Sequence, residues 1–278
     1  MRIPDGPFRA LQLAVLLLAT AVATSSSAAP VVNLASHRAV YALSRHPDTL
    51  DSNIAAVKGR LEISLEASCD GWHFVQMLGF HLVDIEGGRT EHIALLSGWE
   101  SAESTEFWFN ARSFEDREQV EEVAGVARLE AAGGPGEIRF SRPEATVKPL
   151  ARGTVFPSAH VAAVVDAARR GQRNLLLTVF DGSTQQSPFE VAAAIGRELP
   201  TTGGPPPLAG TRAWPIRLAY YPEGAVEPLP AFAMSAVLYE NGVTGDMVYD
   251  YGDFAIDVRL DSYEPLRAPS CRRPDGGR

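Results

Sequence analysis

The chain has 278 residues, a formal net charge of −9, 45% hydrophobic residues and two cysteines. An acidic surface repels nucleic acids and anionic headgroups, so neither is expected as a primary ligand. After residue 28 no stretch is long and apolar enough to cross a bilayer, so no transmembrane segment is expected in the mature protein.

The N-terminal segment is typical of a secretory signal peptide. Arg2 and Arg9 precede an uncharged run over residues 10–23, and small residues follow. This run is too short for a membrane span. Cleavage is predicted after Ala28, with Ala23 as the alternative. We therefore predict a signal peptide over residues 1–28 and a single exported domain over residues 29–278, because β-barrels of this length commonly form one domain.

Most of the mature chain is predicted to form β-strands. Residues 57–67 alternate between apolar and polar side chains, and Cys69-Asp70-Gly71 is a hairpin signal that leads into residues 72–85. Residues 119–132 also match helical spacing, but Gly125 lies among them and a strand is favoured. Further strands are predicted at 37–43, 93–99, 106–112, 137–141, 174–180, 191–197, 214–221, 232–239, 243–251 and 254–260.

A helix is predicted between two β-rich regions, from Ser158 to Arg170. Ser158 is expected to cap the first turn and Gly171 to end the helix. A connection with Pro143 and Pro149 leads into it. The pattern predicts two stretches of sheet joined by one central helix.

The two cysteines, Cys69 and Cys271, lie near opposite ends of the mature chain. In an exported protein this arrangement favours a disulfide, and two free thiols are the alternative. Such a bond would join the beginning of the sheet to its end, which favours a closed or spiral barrel over an open sheet.

The sequence offers little catalytic chemistry. His73, His81 and His92 lack the spacing of metal ligands, and His160 has no recognised nucleophile motif near it in sequence. The aspartates at positions 246, 250, 253 and 257 lack the pattern of a calcium loop. No phosphate-binding glycine loop or dinucleotide motif occurs. We therefore expect a protein that is not an enzyme and that uses no cofactor and no metal.

Apolar side chains on the strand and helix faces are the remaining candidates for a site. A wide barrel with one helix has trouble filling its interior, so these residues are predicted to line a ligand cavity, with plain core packing as the alternative. The candidates are Trp72, Phe74, Phe80, Trp99, Phe107, Phe109, Val161, Val164, Val165, Trp214 and Tyr220.

Five short segments resemble the EipB-type cell envelope integrity proteins of alphaproteobacteria. They are CDGW at 69–72, SGWE at 97–100, GTVFPSAH at 153–160, VFDG at 179–182 and DYGDF at 250–254, followed by the final cysteine. Val155 and Ser158 are small departures that leave the helix start intact. The likeness covers essentially the whole mature chain.

This resemblance implies a periplasmic protein that supports envelope integrity. It implies a mainly β fold, a large antiparallel spiral or broken β-barrel with one central α-helix, stapled by a disulfide between Cys69 and Cys271. The shape is similar to that of the carriers that deliver lipoproteins to the outer membrane, which hold acyl chains in an apolar hollow. No catalytic residues are implied.

Three functional hypotheses follow. The first is a carrier whose barrel binds a lipid, an acyl chain of a lipoprotein or a hydrophobic peptide. The second is a structural adaptor with a solid core that contacts other periplasmic envelope proteins. The third, an envelope hydrolase, requires a nucleophile or metal near His160 or near the strands around residues 250–257.

Overall fold

Fifteen strands and one helix form the part of the chain that the computed structural model describes, namely residues 32–47, 53–200, 206, 208–224 and 229–271. The first eight strands are β1 (His37–Arg45), β2 (Ile54–Ala67), β3 (Gly71–Asp84), β4 (Arg89–Ser101), β5 (Glu106–Glu115), β6 (Glu118–Leu129), β7 (Gly136–Arg142) and β8 (Thr146–Leu150). The predicted signal peptide lies outside the described residues.

A short strand, β9 (Thr154–Val155), leads into the helix α1 (Pro157–Arg169). The remaining strands are β10 (Asn174–Val179), β11 (Phe189–Ile195), β12 (Ala213–Pro222), β13 (Phe232–Tyr239), β14 (Thr244–Asp250) and β15 (Ala255–Pro265). The helix therefore divides a run of nine strands from a run of six.

All fifteen strands belong to one sheet in the order 8-7-6-5-4-3-2-1-15-14-13-12-11-10-9. Strands that pair in the sheet are consecutive in sequence, with the exception of β1 and β15. This pairing brings the first and last strands together at the centre and leaves β8 and β9 at the two edges. The sheet curls into a nearly closed barrel, which confirms the predicted mainly β barrel fold.

The predicted strands are confirmed with small changes at their ends, and the ambiguous residues 119–132 contain strand β6. Two corrections are needed. The proline-containing connection before the helix holds strand β8, whose residues pair with β7 at one edge of the sheet, where proline is tolerated. The β9 and β10 pair is parallel, whereas the other pairs are antiparallel.

Buried side chains of the described residues gather in three clusters, of which the first two lie on the inner face of the sheet. The first cluster contains residues of β1–β3 and β10–β15 together with α1, and includes Tyr41, Val165 and Trp214. The second cluster belongs to β5–β8 and to the chain on either side of the helix, and includes Phe107 and Phe156. A small third cluster lies around Tyr239.

Phenyl rings alternate with glycines along one row of the inner face, reading Phe74, Gly98, Phe109, Gly125 and Phe140 on β3 to β7. A Cβ atom on Gly98 would lie 2.6 Å from the Phe74 ring, and one on Gly125 would lie 2.9 Å from the Phe109 ring. Each ring therefore covers the backbone of a neighbouring glycine. Glycine is required here because the ring occupies the position of its missing side chain.

The two cysteines form a disulfide, as predicted. The Cys69 and Cys271 Cα atoms are 5.5 Å apart, and the bond spans 202 residues of sequence. Cys69 lies in the turn between β2 and β3, and Cys271 lies beyond the end of β15. Because β1 pairs with both β2 and β15, the bond reinforces the junction of the two halves of the sheet at its centre.

Candidate functional site

A group of aromatic side chains lines the inner face where β12 and β14 end and β11, β13 and β15 begin. Ring centroids are 6.1 Å apart for Phe189 and Tyr220, 5.5 Å for Tyr220 and Phe232, and 5.5 Å for Phe232 and Tyr249. The ring centroids of Tyr251 and Phe254, the last pair in this series of contacts, are 5.0 Å apart. We call the group the aromatic recess, consisting of Phe189, Tyr220, Phe232, Tyr249, Tyr251 and Phe254.

Several members of the aromatic recess remain partly exposed although they pack against the buried first cluster. Tyr220, Phe232 and Phe254 are half-buried, and Tyr251 keeps 38% of its surface exposed. Burial nevertheless raises the pKa of Tyr251 to about 12. These aromatic side chains are therefore packed against one another while part of their surface stays accessible to solvent.

The helix α1 packs against the first cluster through one face. Val164, Val165 and Ala168 are buried in that cluster, whereas Val161 is half-buried beside it. Small side chains allow the helix to approach the sheet closely. The three predicted valine candidates thus contact the same apolar interior as the aromatic recess.

The buried carboxylate of Glu100 holds the N-terminus of α1. Its oxygens accept hydrogen bonds from the backbone N–H groups of Ser158 at 2.7 Å and Ala159 at 3.3 Å. Ser158 is therefore not the capping residue, which corrects the prediction: Phe156 is at the N-cap position, Pro157 begins the helix, and a carboxylate from β4 supplies the acceptors. Burial raises the pKa of Glu100, and the hydrogen bonds from Ser158 oppose that rise.

The C-terminus of α1 is held by an ion-pair network. Arg169 Nε lies 2.9 Å from the Glu240 carboxylate, which Arg212 also contacts at 3.3 Å. Arg212 pairs with Glu198 at 2.7 Å and lies over the Trp214 ring at 4.9 Å. The helix is therefore fixed to β4 at one end and to the turn after β13 at the other.

Two of the predicted aromatic candidates, Trp214 and Phe80, join Tyr220 around the first cluster. Trp214 is buried and Phe80 is half-buried, with its ring stacked 5.2 Å from that of His92. Trp72 is half-buried on the inner face, where its strand partner is Glu100.

Three other candidates belong to the second cluster, which is closely packed. The Phe107 ring is fully buried and lies 5.7 Å from Phe74, 5.8 Å from Phe109, 5.3 Å from Phe156 and 6.0 Å from Phe180. Rings at these distances fill the space between them. The structure thus places Phe74, Phe107 and Phe109 in a core of phenyl rings.

Trp99 lies on the opposite face of the sheet from the other strand candidates, which corrects their grouping. It pairs with His73 and Trp108, and its ring is 6.4 Å from that of Trp108, a side chain with 54% exposure. Because strand side chains alternate between faces, Trp99 points outward while its neighbours Gly98 and Glu100 face inward.

The residues considered for catalysis are not brought together. His160 is buried in α1, and burial lowers its pKa to about 4, so it is neutral at pH 7. Among the described residues no three or more histidine, cysteine, aspartate or glutamate side chains are grouped as a metal site.

Asp246 and Asp250, near the end of the chain, pair with different arginines. Asp246 lies 3.1 Å from Arg259, and Asp250 lies 3.0 Å from Arg217. The paired strands thus hold these two aspartates in separate surface ion pairs.

Most of the aromatic recess was not among the predicted candidates. Phe232 and Tyr249 lie on predicted strands, and their alternation could have placed them on the inner face, whereas Phe189 precedes the predicted strand 191–197. Glu100 gave no such signal, because its role depends on the distant start of α1. Within the described residues no helix is long and apolar enough to cross a membrane.

Comparison with known proteins agrees with this architecture. A family model described as EipB-like matches residues 28–267. The cell envelope integrity protein EipB of Brucella abortus (strain 2308) is 29% identical over 256 residues, covering 87% of this chain and 89% of that protein. A crystal structure of a beta-barrel-like protein of a domain of unknown function from Brucella abortus aligns with a TM-score of 0.76 and 27% identity, covering 85% of this chain and 100% of that one. Because the family model matches most of the sequence, the chain belongs to the EipB-like family of cell envelope integrity proteins.

Proposed function

We propose that the protein is a non-enzymatic periplasmic carrier that binds a lipid, an acyl chain or a hydrophobic peptide in the aromatic recess. The observation that carries this proposal is the partial exposure of apolar side chains on the inner face, notably Tyr220, Phe232 and Phe254. These rings leave apolar surface that a ligand could cover.

The energetic argument is that an apolar ligand would finish burying this surface. Removing about 200 Å² of apolar surface from water contributes about 5 kcal/mol at 25 cal/mol per Å². The loss of ligand freedom and the ordering of side chains offset part of this gain. The remainder is compatible with a reversible carrier, which must also release what it binds.

Access to the recess does not require movement of α1. Tyr251 lies in the turn between β14 and β15 and is exposed, so it marks the rim. Tyr249, two residues earlier on β14, is almost fully buried. Glu100 and Glu240 hold the two ends of the helix. We therefore propose entry past Tyr251, at the end of β13 and β14 that lies away from the helix contacts with Glu240.

A periplasmic location is supported by three features. The first residues are typical of a secretory signal peptide, and the Cys69–Cys271 disulfide suits an oxidising compartment. The curated relative is named a cell envelope integrity protein. A fusion to alkaline phosphatase, which is active only after export, tests the location.

A structural adaptor is the second candidate, because one outer surface also exposes large apolar side chains. Val75, Met77 and Trp108 are 52%, 45% and 54% exposed on β3 and β5. Exposed apolar patches on a sheet often mark contacts with other proteins. This surface lies on the face opposite the aromatic recess, so the two candidates can be separated by substitution.

Fluorescence titration with N-phenyl-1-naphthylamine, a neutral apolar dye, separates them. The carrier predicts saturable binding to the wild-type protein, loss of binding in Phe232→Ala, and unchanged binding in the matched outer-face variant Trp108→Ala. Equal binding by all three proteins, with circular dichroism showing that each is folded, would assign the dye to another surface. No saturable binding by the wild type would favour the adaptor.

A further inference from the structure

Three tyrosine rings of the aromatic recess meet around one phenylalanine. Centroids of Tyr220, Tyr249 and Tyr251 lie 5.5, 5.5 and 5.3 Å from that of Phe232. The rings come from β12, from β14 and from the turn that follows β14. Three tyrosine rings thus contact the same apolar side chain.

The hydroxyls of these tyrosines have no hydrogen-bond partner among the described residues. The contrast is Tyr41, whose hydroxyl donates to the Thr244 carbonyl oxygen at 2.7 Å. Tyr249 is 8% exposed, Tyr220 is half-buried and Tyr251 is 38% exposed, so exposure increases from Tyr249 toward the rim. A buried phenol normally finds a partner, so the unpaired phenols of Tyr220 and Tyr249, with that of Tyr251 at the rim, point to an acceptor that arrives with a ligand.

The phenols act as neutral donors. Burial raises the pKa of Tyr220 and Tyr249 well above the ordinary value, and it raises the pKa of Tyr251 to about 12. Neighbouring Asp181 raises the pKa of Tyr220 further, so a negative charge lies near this part of the recess. That charge disfavours an anionic group and favours a neutral oxygen acceptor.

We propose that Tyr220, Tyr249 and Tyr251 form a hydrogen-bonding site for the neutral carbonyl oxygen at the head of a bound acyl chain, an ester or an amide. The inference rests on the proposed carrier function and names its ligand class. The neighbouring Phe189, Phe232 and Phe254 rings contact the first carbons of the chain. Acylated glycerol and the acyl groups of a lipoprotein share this chemistry, and an ionised fatty acid does not.

The test is displacement of N-phenyl-1-naphthylamine from the full-length mature protein by three probes with twelve-carbon chains. The probes are 1-monolauroylglycerol, laurate and 1-dodecene. Each is titrated against the wild type and against Tyr220→Phe, Tyr249→Phe and Tyr251→Phe, which remove only a hydroxyl. Tyr239→Phe, in the separate third cluster, is the matched control.

The expected result is a 2-fold to 10-fold loss of monolauroylglycerol affinity in each of the three variants, with dodecene binding and the control unchanged. Unchanged monolauroylglycerol affinity, or an equal loss for dodecene, would overturn the hydrogen-bonding site while leaving the carrier function intact.

Tighter binding of laurate than of monolauroylglycerol by the wild type would overturn the choice of a neutral carbonyl. Failure of every probe to displace a dye that does bind in the recess would overturn the acyl ligand itself. An N-palmitoyl peptide in place of monolauroylglycerol distinguishes a lipoprotein acyl group from a glycerolipid.

Discussion

The second cluster and the aromatic recess are both built from aromatic side chains on the inner face of the same sheet, but they differ in how completely they are filled. Phe107 and Phe180 are fully buried among other rings in the second cluster. Phe232 and Tyr251 contact rings at similar distances, yet both keep exposed surface. An aromatic inner face alone therefore does not indicate a binding site; the difference lies in whether neighbouring segments cover the rings.

The rings of the second cluster are covered by residues from two neighbouring segments of the chain. Phe156 and Phe180, which flank α1 and β10, pack over Phe107 of the second cluster. The aromatic recess, by comparison, is bordered by the turn after β14, with Tyr251 at its rim. The second cluster thus serves stability and the recess is available to a ligand.

The largest effect on both regions is expected from loss of the disulfide that reinforces the junction of the first and last strands at the centre of the sheet. In the chain-entropy model a bond spanning 202 residues restrains the unfolded chain by about 5 kcal/mol, an upper value. The double variant Cys69→Ser/Cys271→Ser should unfold at clearly lower urea concentration than the oxidised wild type, and reductant should affect only the wild type. Identical midpoints for the variant and the oxidised wild type would contradict this role.

Truncation of one ring in each region tests the comparison directly. Phe107→Ala should lower the free energy of unfolding by about 3 to 5 kcal/mol, because it leaves a cavity in a packed core. Phe232→Ala should lower it by less than about 2 kcal/mol, because the ring is already partly exposed, while it should weaken binding of an apolar dye. Urea unfolding and dye titration measure the two effects. Equal destabilisation by both variants would show that the recess is as well packed as the second cluster.

Removal of the Glu100 carboxylate should detach the start of α1. Glu100→Ala leaves two partly buried backbone N–H groups without their acceptor, at a cost of about 2 to 4 kcal/mol. Glu100→Gln keeps one acceptor oxygen and should lose less. A loss below about 0.5 kcal/mol in Glu100→Ala would mean that water replaces the carboxylate without penalty.

The ionisation of Glu100 gives the same contact a pH dependence. Its pKa is raised in the folded protein, so the folded state retains this proton at higher pH than the unfolded state does. The free energy of unfolding of the wild type should therefore fall as pH rises from the pKa of Glu100 in the unfolded chain to its higher pKa in the folded protein. Glu100→Gln should not show this fall. Urea unfolding of the two proteins between pH 4 and 8 measures the difference, and parallel curves would refute it.

A smaller effect with the opposite sign is expected from His160. Its pKa is lowered from 6.5 to about 4 by burial, so the unfolded chain takes up a proton that the folded chain excludes. Stability should be complete above pH 6.5 and fall by up to about 3 kcal/mol as pH approaches 4. His160→Leu should show a shallower fall, and His37, whose pKa is also lowered by burial, should account for part of what remains. An unchanged slope in His160→Leu would contradict the neutral buried state.

Local pattern was sufficient for much of the fold. Alternation in residues 57–67 and the turn at Cys69-Asp70-Gly71 predicted β2, β3 and the hairpin between them, and Gly171, with a φ of 71°, ends α1 as expected. Strand β8 was missed because it has only five residues and contains Pro149, which is unfavourable in most strands. It is an edge strand with four exposed residues. Short edge strands depend on pairing with a partner, which sequence alone does not reveal.

The site was less predictable because it depends on contacts between distant segments. The SGWE segment illustrates this: Gly98 accommodates a phenyl ring, Trp99 points outward and Glu100 binds the start of the helix in the GTVFPSAH segment. Two of the segments that carried the family resemblance are thus in direct contact. Their hydrogen bonds join residues nearly sixty positions apart, and no local periodicity indicates such a pair.

Native mass spectrometry of the protein isolated from the periplasm, without detergent, tests the central claim most directly. The account predicts that the wild type carries a bound amphiphile whose mass includes an acyl ester or amide, and that Phe232→Ala loses it while the outer-face variant Trp108→Ala retains it. A wild-type protein that is folded, disulfide-bonded and free of any added mass under conditions that preserve a control lipid carrier would contradict the carrier function.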